Sequence, residues 1–112
     1  MAKKTPDLLS GTLELMVLRL LTKRSEHGFA IARLIQSRSK DVLKVEEGTL
    51  YPALHRMEKK GLLESHWEQT PANRRAKFYS LTDRGRKALS EKQKQWKQVS
   101  AAVNQVLGVQ TS

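Results

Sequence analysis

Three histidines, His27, His55 and His66, are the side chains of this sequence best suited to metal ligation or to proton transfer near neutral pH. They share no metal-ligand spacing, and no His-Glu-x-x-His pattern occurs. His27 reads as a turn or capping residue beside Gly28, and His66 as an exposed strand residue. There is no cysteine, which removes thiolate metal sites, disulfides and cysteine nucleophiles. Glu46 and Glu47 form no catalytic dyad and suit the positive end of a helix instead. No Gly-x-Ser-x-Gly elbow and no Gly-rich phosphate cradle is present. The sequence therefore points away from enzymes and calls for no cofactor and no metal.

What remains is the chemistry of cations and hydrogen-bond donors. Lys and Arg number 21 against 11 Asp and Glu, for a formal charge of +10 and a pI near 10.2. Such a balance favours polyanionic partners, nucleic acid first and an anionic membrane second. Two groups of residues carry it. Pro52, His55, Arg56 and Lys59 fall on one side of a predicted helix, with Thr49, Tyr51 and Lys60 at its flanks. Arg74, Arg75 and Lys77 lie on or beside a predicted turn. Arg, Lys, His and Thr side chains on an exposed helical face offer donors to base edges, and a tyrosine hydroxyl suits a phosphate oxygen.

These groups need elements to hold them. With 112 residues and 12.8 kDa, the chain has room for one domain. Residues 8–22 read as a helix with Leu9, Leu13, Met16, Val17, Leu20 and Leu21 on one face. Leu8, Leu15 and Leu18 form a second stripe, so this helix needs two partners, one of which is either another part of the chain or a second copy. Ser25 is the expected cap of a helix over about 27–38, with Ile31, Leu34 and Ile35 inward and Phe29 off that face. Ser39 to Val45 is a connector with Val42, Leu43 and Val45 free to pack. A third helix over about 47–60 has Leu50, Ala53, Leu54 and Met57 inward; Pro52 is tolerated if its cap lies near Gly48 or Thr49, and Gly61 ends it.

Residues 62–68 and 76–81 alternate in polarity around a turn-forming segment with Arg74 and Arg75, which predicts a β-hairpin with a basic tip. Thr82 then caps a long helix reaching about Leu107, before Gly108. Leu89, Trp96, Val99, Val103 and Val106 keep a three–four spacing along it, broken once by Lys92, as in a coiled-coil contact. The fold class is mainly α with a small β-hairpin: a winged helix-turn-helix over residues 1–81, a C-terminal dimerisation helix over 82–108, and a frayed tail at 109–112. The basic Met1–Lys4 stretch is not read as a signal peptide, because the apolar segment after it holds Glu14 and Arg19 and lacks a small-residue cleavage site. The expected location is the cytoplasm, with no membrane partner.

The run from Glu47 to Arg56, Glu-Gly-Thr-Leu-Tyr-Pro-Ala-Leu-His-Arg, resembles the recognition-helix signature of the PadR-like transcriptional regulators. Leu9 to Leu13, His27-Gly28-Phe29, Arg74 to Tyr79 and Leu81-Thr82 resemble, in order, that family's opening helix, His-Gly-Tyr turn, wing and second strand. Phe29 departs from the pattern by replacing a tyrosine. The single helix after the wing resembles the short subfamily. The resemblance implies a homodimeric repressor joined through its last and first helices, which would place Leu8, Leu15, Leu18, Leu89, Trp96, Val99, Val103 and Val106 in the dimer interface. It also implies an inverted-repeat operator, and leaves Trp96 as either a hydrophobic anchor across the dimer or, as in some relatives, a platform for a small flat aromatic effector. A different class, an RNA- or ribosome-associated basic module or a helical adaptor, shares the charge and the general fold but not the Tyr-Pro motif.

Overall fold

The computed structural model describes residues 6–109, with side chains from residue 11 onward. Helix α1 spans Pro6–Leu20, strand β1 Glu26–His27, helix α2 Gly28–Arg38 and helix α3 Glu47–Lys59. Strands β2 (Leu63–Gln69) and β3 (Arg75–Leu81) form the wing, and helix α4 runs Asp83–Leu107. The sheet order is β1-β3-β2, antiparallel throughout, with Leu63 opposite Leu81 and Gln69 opposite Arg75. The hairpin thus gains a third, two-residue strand, too short for its alternation to stand out in the sequence. β1 also occupies the place where Ser25 was expected to cap α2. The capping position falls to His27, whose side chain makes no capping bond; its ring lies 5.0 Å from that of Phe78, its partner across the ladder.

One core sits between α1, α2, α3 and the base of the wing, built on Val17, Leu18, Ile31, Leu50, Leu54 and Met57, all fully buried. Helix α3 follows its pattern: Leu50, Ala53, Leu54 and Met57 are at 0% exposure. It starts at Glu47 as the pattern predicts, but its cap is Glu46 rather than Gly48 or Thr49, so Pro52 falls in the second turn rather than the first. The donor that Pro52 lacks would have served the carbonyl of Gly48, an exposed residue. Gly61 adopts φ +80°, the left-handed conformation that ends the helix.

Helix α1 corrects the expected division of faces. Among its residues with described side chains, Leu13, Glu14, Val17 and Leu18 are buried, with Leu21 just beyond, while Leu15, Met16 and Leu20 are half-buried. A helix apolar nearly all round does not declare its inner face, and a carboxylate there argues against the right one. Glu14 is tolerated at 5% exposure because Lys60 Nζ and Lys92 Nζ approach its two oxygens at 3.2 and 3.6 Å. The same pair explains why Lys92 interrupts the apolar seam of α4: it reaches across to α1. Leu18 and Leu89, both expected at a dimer interface, are buried in the protomer's own core at 0% and 7% exposure, so neither leaves surface for a partner. The side chain of Leu8 lies outside the described residues.

Helix α4 is anchored as its sequence predicts. Thr82 Oγ1 accepts from Gly85 N at 3.0 Å and donates to Gly61 O at 2.6 Å, tying the helix start to the end of α3. At Gly85 a Cβ would stand 2.2 Å from the carbonyl oxygen of Leu62, so only glycine lets the two segments approach this closely. The helix ends at Gly108 with φ 75°. At 25 residues it is about 37 Å long and extends beyond the domain that supports its first turns.

Candidate nucleic-acid interface

Burying one face of α3 completely leaves the other wholly in solvent. Thr49, Tyr51, Pro52, His55, Arg56, Lys59 and Lys60 are all exposed, and they share that face or its edges. Tyr51 is fixed by α2: a Cβ on Gly28 would meet its ring at 2.4 Å, so the aromatic ring rests directly on the glycine backbone. Partial desolvation of the phenol against its neighbours, then the nearby Glu47 and Tyr79, raises its pKa above the ordinary tyrosine value. The phenol therefore stays protonated at neutral pH and remains a hydrogen-bond donor.

The wing stands beside this face and is braced to it. Ser65, Trp67, Lys77 and Tyr79 share one side of the hairpin, given the Ser65–Tyr79 and Trp67–Lys77 pairings. Ser65 Oγ donates to Glu58 at 2.6 Å, and Lys77 Nζ lies 3.4 Å from the other carboxylate oxygen. The Ser65 hydrogen bond, with smaller help from Lys77 and His55, outweighs desolvation and holds the Glu58 carboxyl below its ordinary pKa. A depressed carboxylate pKa stabilises the fold above the unfolded-state value, and that stabilisation disappears as pH falls through the lower folded-state value. Glu58→Gln is expected to cost about 1 kcal/mol at pH 7. The difference from the parent protein should shrink as pH falls through the lowered folded-state value and be full above the ordinary carboxylate range. Thermal melts across pH read this directly, and an equal difference at both ends would remove the charge from the brace.

The wing cations are not equivalent. Lys77 is half-buried and committed to Glu58, so its expected role toward DNA is shared with a structural one. Arg75 lies over the ring of Trp67, its guanidinium carbon 5.4 Å from the centroid. Arg74 is exposed at the tip, where Thr70 N bonds Arg74 O at 2.7 Å and Asn73 takes φ 64° to close the turn. Trp67, 58% exposed on the wing, had no signal beyond strand alternation to mark it. The Glu58 brace was equally hidden, because its partners come from two other elements.

Farther away, Trp96, Val99, Val103 and Val106 lie along α4 with exposures of 45, 48, 49 and 86%. Half-buried Leu15 and Trp96 together line two open grooves, one of about 150 Å³ between α1 and α4 and one of about 310 Å³ that α2 and the connector after it also border. Among the described residues no group of His, Cys, Asp or Glu is arranged to hold a metal ion, and no helix is long and apolar enough to cross a membrane.

A helix-turn-helix with an exposed basic second helix, followed by a braced basic hairpin, is a winged-helix DNA-binding domain. Residues 17–91 match the family model of the transcriptional regulator PadR-like family, and the chain belongs to that family. It is similar to the transcriptional regulator Rv3488 of Mycobacterium tuberculosis, at 37% identity over 90% of this chain and 88% of that protein. Among solved structures, a PadR family transcription regulator from Clostridium difficile is 33% identical with a TM-score of 0.72, covering 85% of this chain and 97% of its own. A transcriptional regulator from Clostridium thermocellum is 26% identical with a TM-score of 0.79, covering 88% and 96%. The protein is thus a DNA-binding transcriptional regulator, and the family is one of regulators rather than enzymes.

Proposed function

We propose that the protein is a homodimeric repressor that occupies an inverted-repeat operator and blocks promoter DNA sterically. The observation that carries this reading is the fully solvated face of α3, with Thr49, Tyr51, Pro52, His55, Arg56 and Lys59, beside a wing tip carrying Arg74 and Arg75. In this reading Arg56 and His55 meet base edges, while Tyr51 and the wing hold phosphates. Residues 1–81 form the DNA-binding unit and 82–108 the dimerisation arm. Trp96, Val99, Val103 and Val106 meet their counterparts, with Leu15 of α1 at the margin. Leu18 and Leu89 serve the protomer core. The workplace is the cytoplasm, where promoter DNA is accessible. Any small aromatic effector would act near Trp96, at the seam between subunits.

Competition tests the reading. A labelled promoter duplex bound at physiological salt should resist displacement by structured RNA and yield to the same duplex unlabelled. Displacement by RNA at equal or lower concentration would favour an RNA-binding module instead.

A further inference from the structure

We infer that the groove between α2 and the wing is a second contact for the DNA backbone, with Arg24 and Arg33 holding phosphates of the strand that passes from α3 to the wing tip. This rests on the DNA-binding reading above and extends it to residues that neither the helical pattern nor the family motif marks.

The groove is open and measures about 830 Å³. Arg33 of α2 and Arg24, in the bend before β1, line it together with Arg74 and Arg75 of the wing, and Glu26 is the one carboxylate among the lining residues. That carboxylate already accepts from Arg24 Nε at 2.9 Å, with the Arg24 side chain 80% exposed, so the guanidinium keeps donors free for a second anion. A concave surface with this excess of positive charge concentrates the field on whatever lies in it. Tyr51 also lines the groove, which makes it continuous with the exposed face of α3. A duplex strand touching both α3 and the wing tip crosses this space. Sugar–phosphate backbone suits it chemically, with phosphates at the cationic rims and sugars against Phe29, Ala30 and Pro71.

Phe29 acquires a role here. It is 53% exposed, and the guanidinium carbon of Arg33, one helical turn on, lies 5.7 Å from its ring centroid. The ring is a platform that keeps Arg33 at the groove rim. Where the family pattern has a tyrosine hydroxyl, this chain offers a supported guanidinium. Phe29 is therefore a positioning residue.

The test is the salt dependence of binding by the full chain, measured by anisotropy with a labelled random duplex of about 30 base pairs between about 50 and 300 mM salt. Arg24→Ala with Arg33→Ala should flatten the slope of log K against log salt by about 1–2. That corresponds to about eightfold weaker binding per lost phosphate contact at 0.1 M salt relative to 1 M. The parallel pair Arg24→Gln with Arg33→Gln should behave alike, and both pairs should melt as the parent does because both sites are exposed. Phe29→Ala should lower the slope by up to about one without changing the charge, and Phe29→Tyr should restore it. If the parent binds duplex and both double variants keep its slope, the groove contact is wrong while the function stands. If the parent binds no duplex, both fall together.

Discussion

Trp96→Asp combined with Val103→Asp is expected to leave a folded monomer at micromolar concentration and to weaken operator binding by about 10²–10⁴-fold. The two residues are half exposed in the protomer, at 45% and 49%, so their replacement opens no cavity in the core. They lie seven positions apart on the narrow stripe of α4, where a two-fold partner would meet them. Two aspartates per chain would put four carboxylates into one thin apolar seam, and burying such charges without partners costs several kcal/mol each. Affinity falls because a dimer presents its second recognition helix at high local concentration, and a monomer must bind each half-site alone. Sedimentation velocity and circular dichroism on the same sample decide it: monomer with unchanged helicity is expected, and a surviving dimer would place the interface elsewhere.

The second large effect concerns the wing. Arg74→Ala with Arg75→Ala should weaken binding to every duplex, specific or random, by about eight- to sixty-fold at 0.1 M salt relative to 1 M, and flatten the salt slope by about 1–2. The uniformity follows from the contact chemistry, since phosphate contacts position a protein without reading sequence. Arg75 carries a further element, since its guanidinium lies over the ring of Trp67. Loss confined to the operator, with random duplex unaffected, would mean that the wing reads bases. An unchanged slope on both would take it out of the interface.

Much of this architecture is legible in the sequence where one physical signal dominates. Helix α3 announces itself through Leu50, Ala53, Leu54 and Met57 and through Gly61, and all four apolar residues are fully buried. Helix α4 is bracketed by Thr82 and Gly108, a donor-satisfying cap and a left-handed terminus. The illegible parts depend on pairings between distant residues. Glu14 looks like a surface residue until Lys60 and Lys92 arrive from α3 and α4, and Leu18 shares its buried side of α1 although its spacing also fits a second stripe. β1 owes its existence to β3, since two residues have no periodicity of their own. The Glu58 brace joins three elements, and the α2–wing groove joins Arg33 to Arg74 across a fold that sequence spacing does not reveal.

Glu14 also links the parts proposed to act together. Its two oxygens engage the C-terminal end of the recognition helix through Lys60 and the α4 arm through Lys92. Thr82 and Gly61 form a second tie between α4 and the end of α3.

The separation of the half-sites tests the central claim most directly. Fragments selected from the source genome by the purified protein, then footprinted, should show an inverted repeat whose half-site centres lie one duplex turn apart, about 10–10.5 base pairs, or a multiple of it. Inserting about five base pairs between the halves turns one of them to the opposite side of the helix, and binding should fall to the level of random DNA. Full affinity after that insertion, or an isolated half-site bound as tightly as the pair, would contradict paired recognition helices.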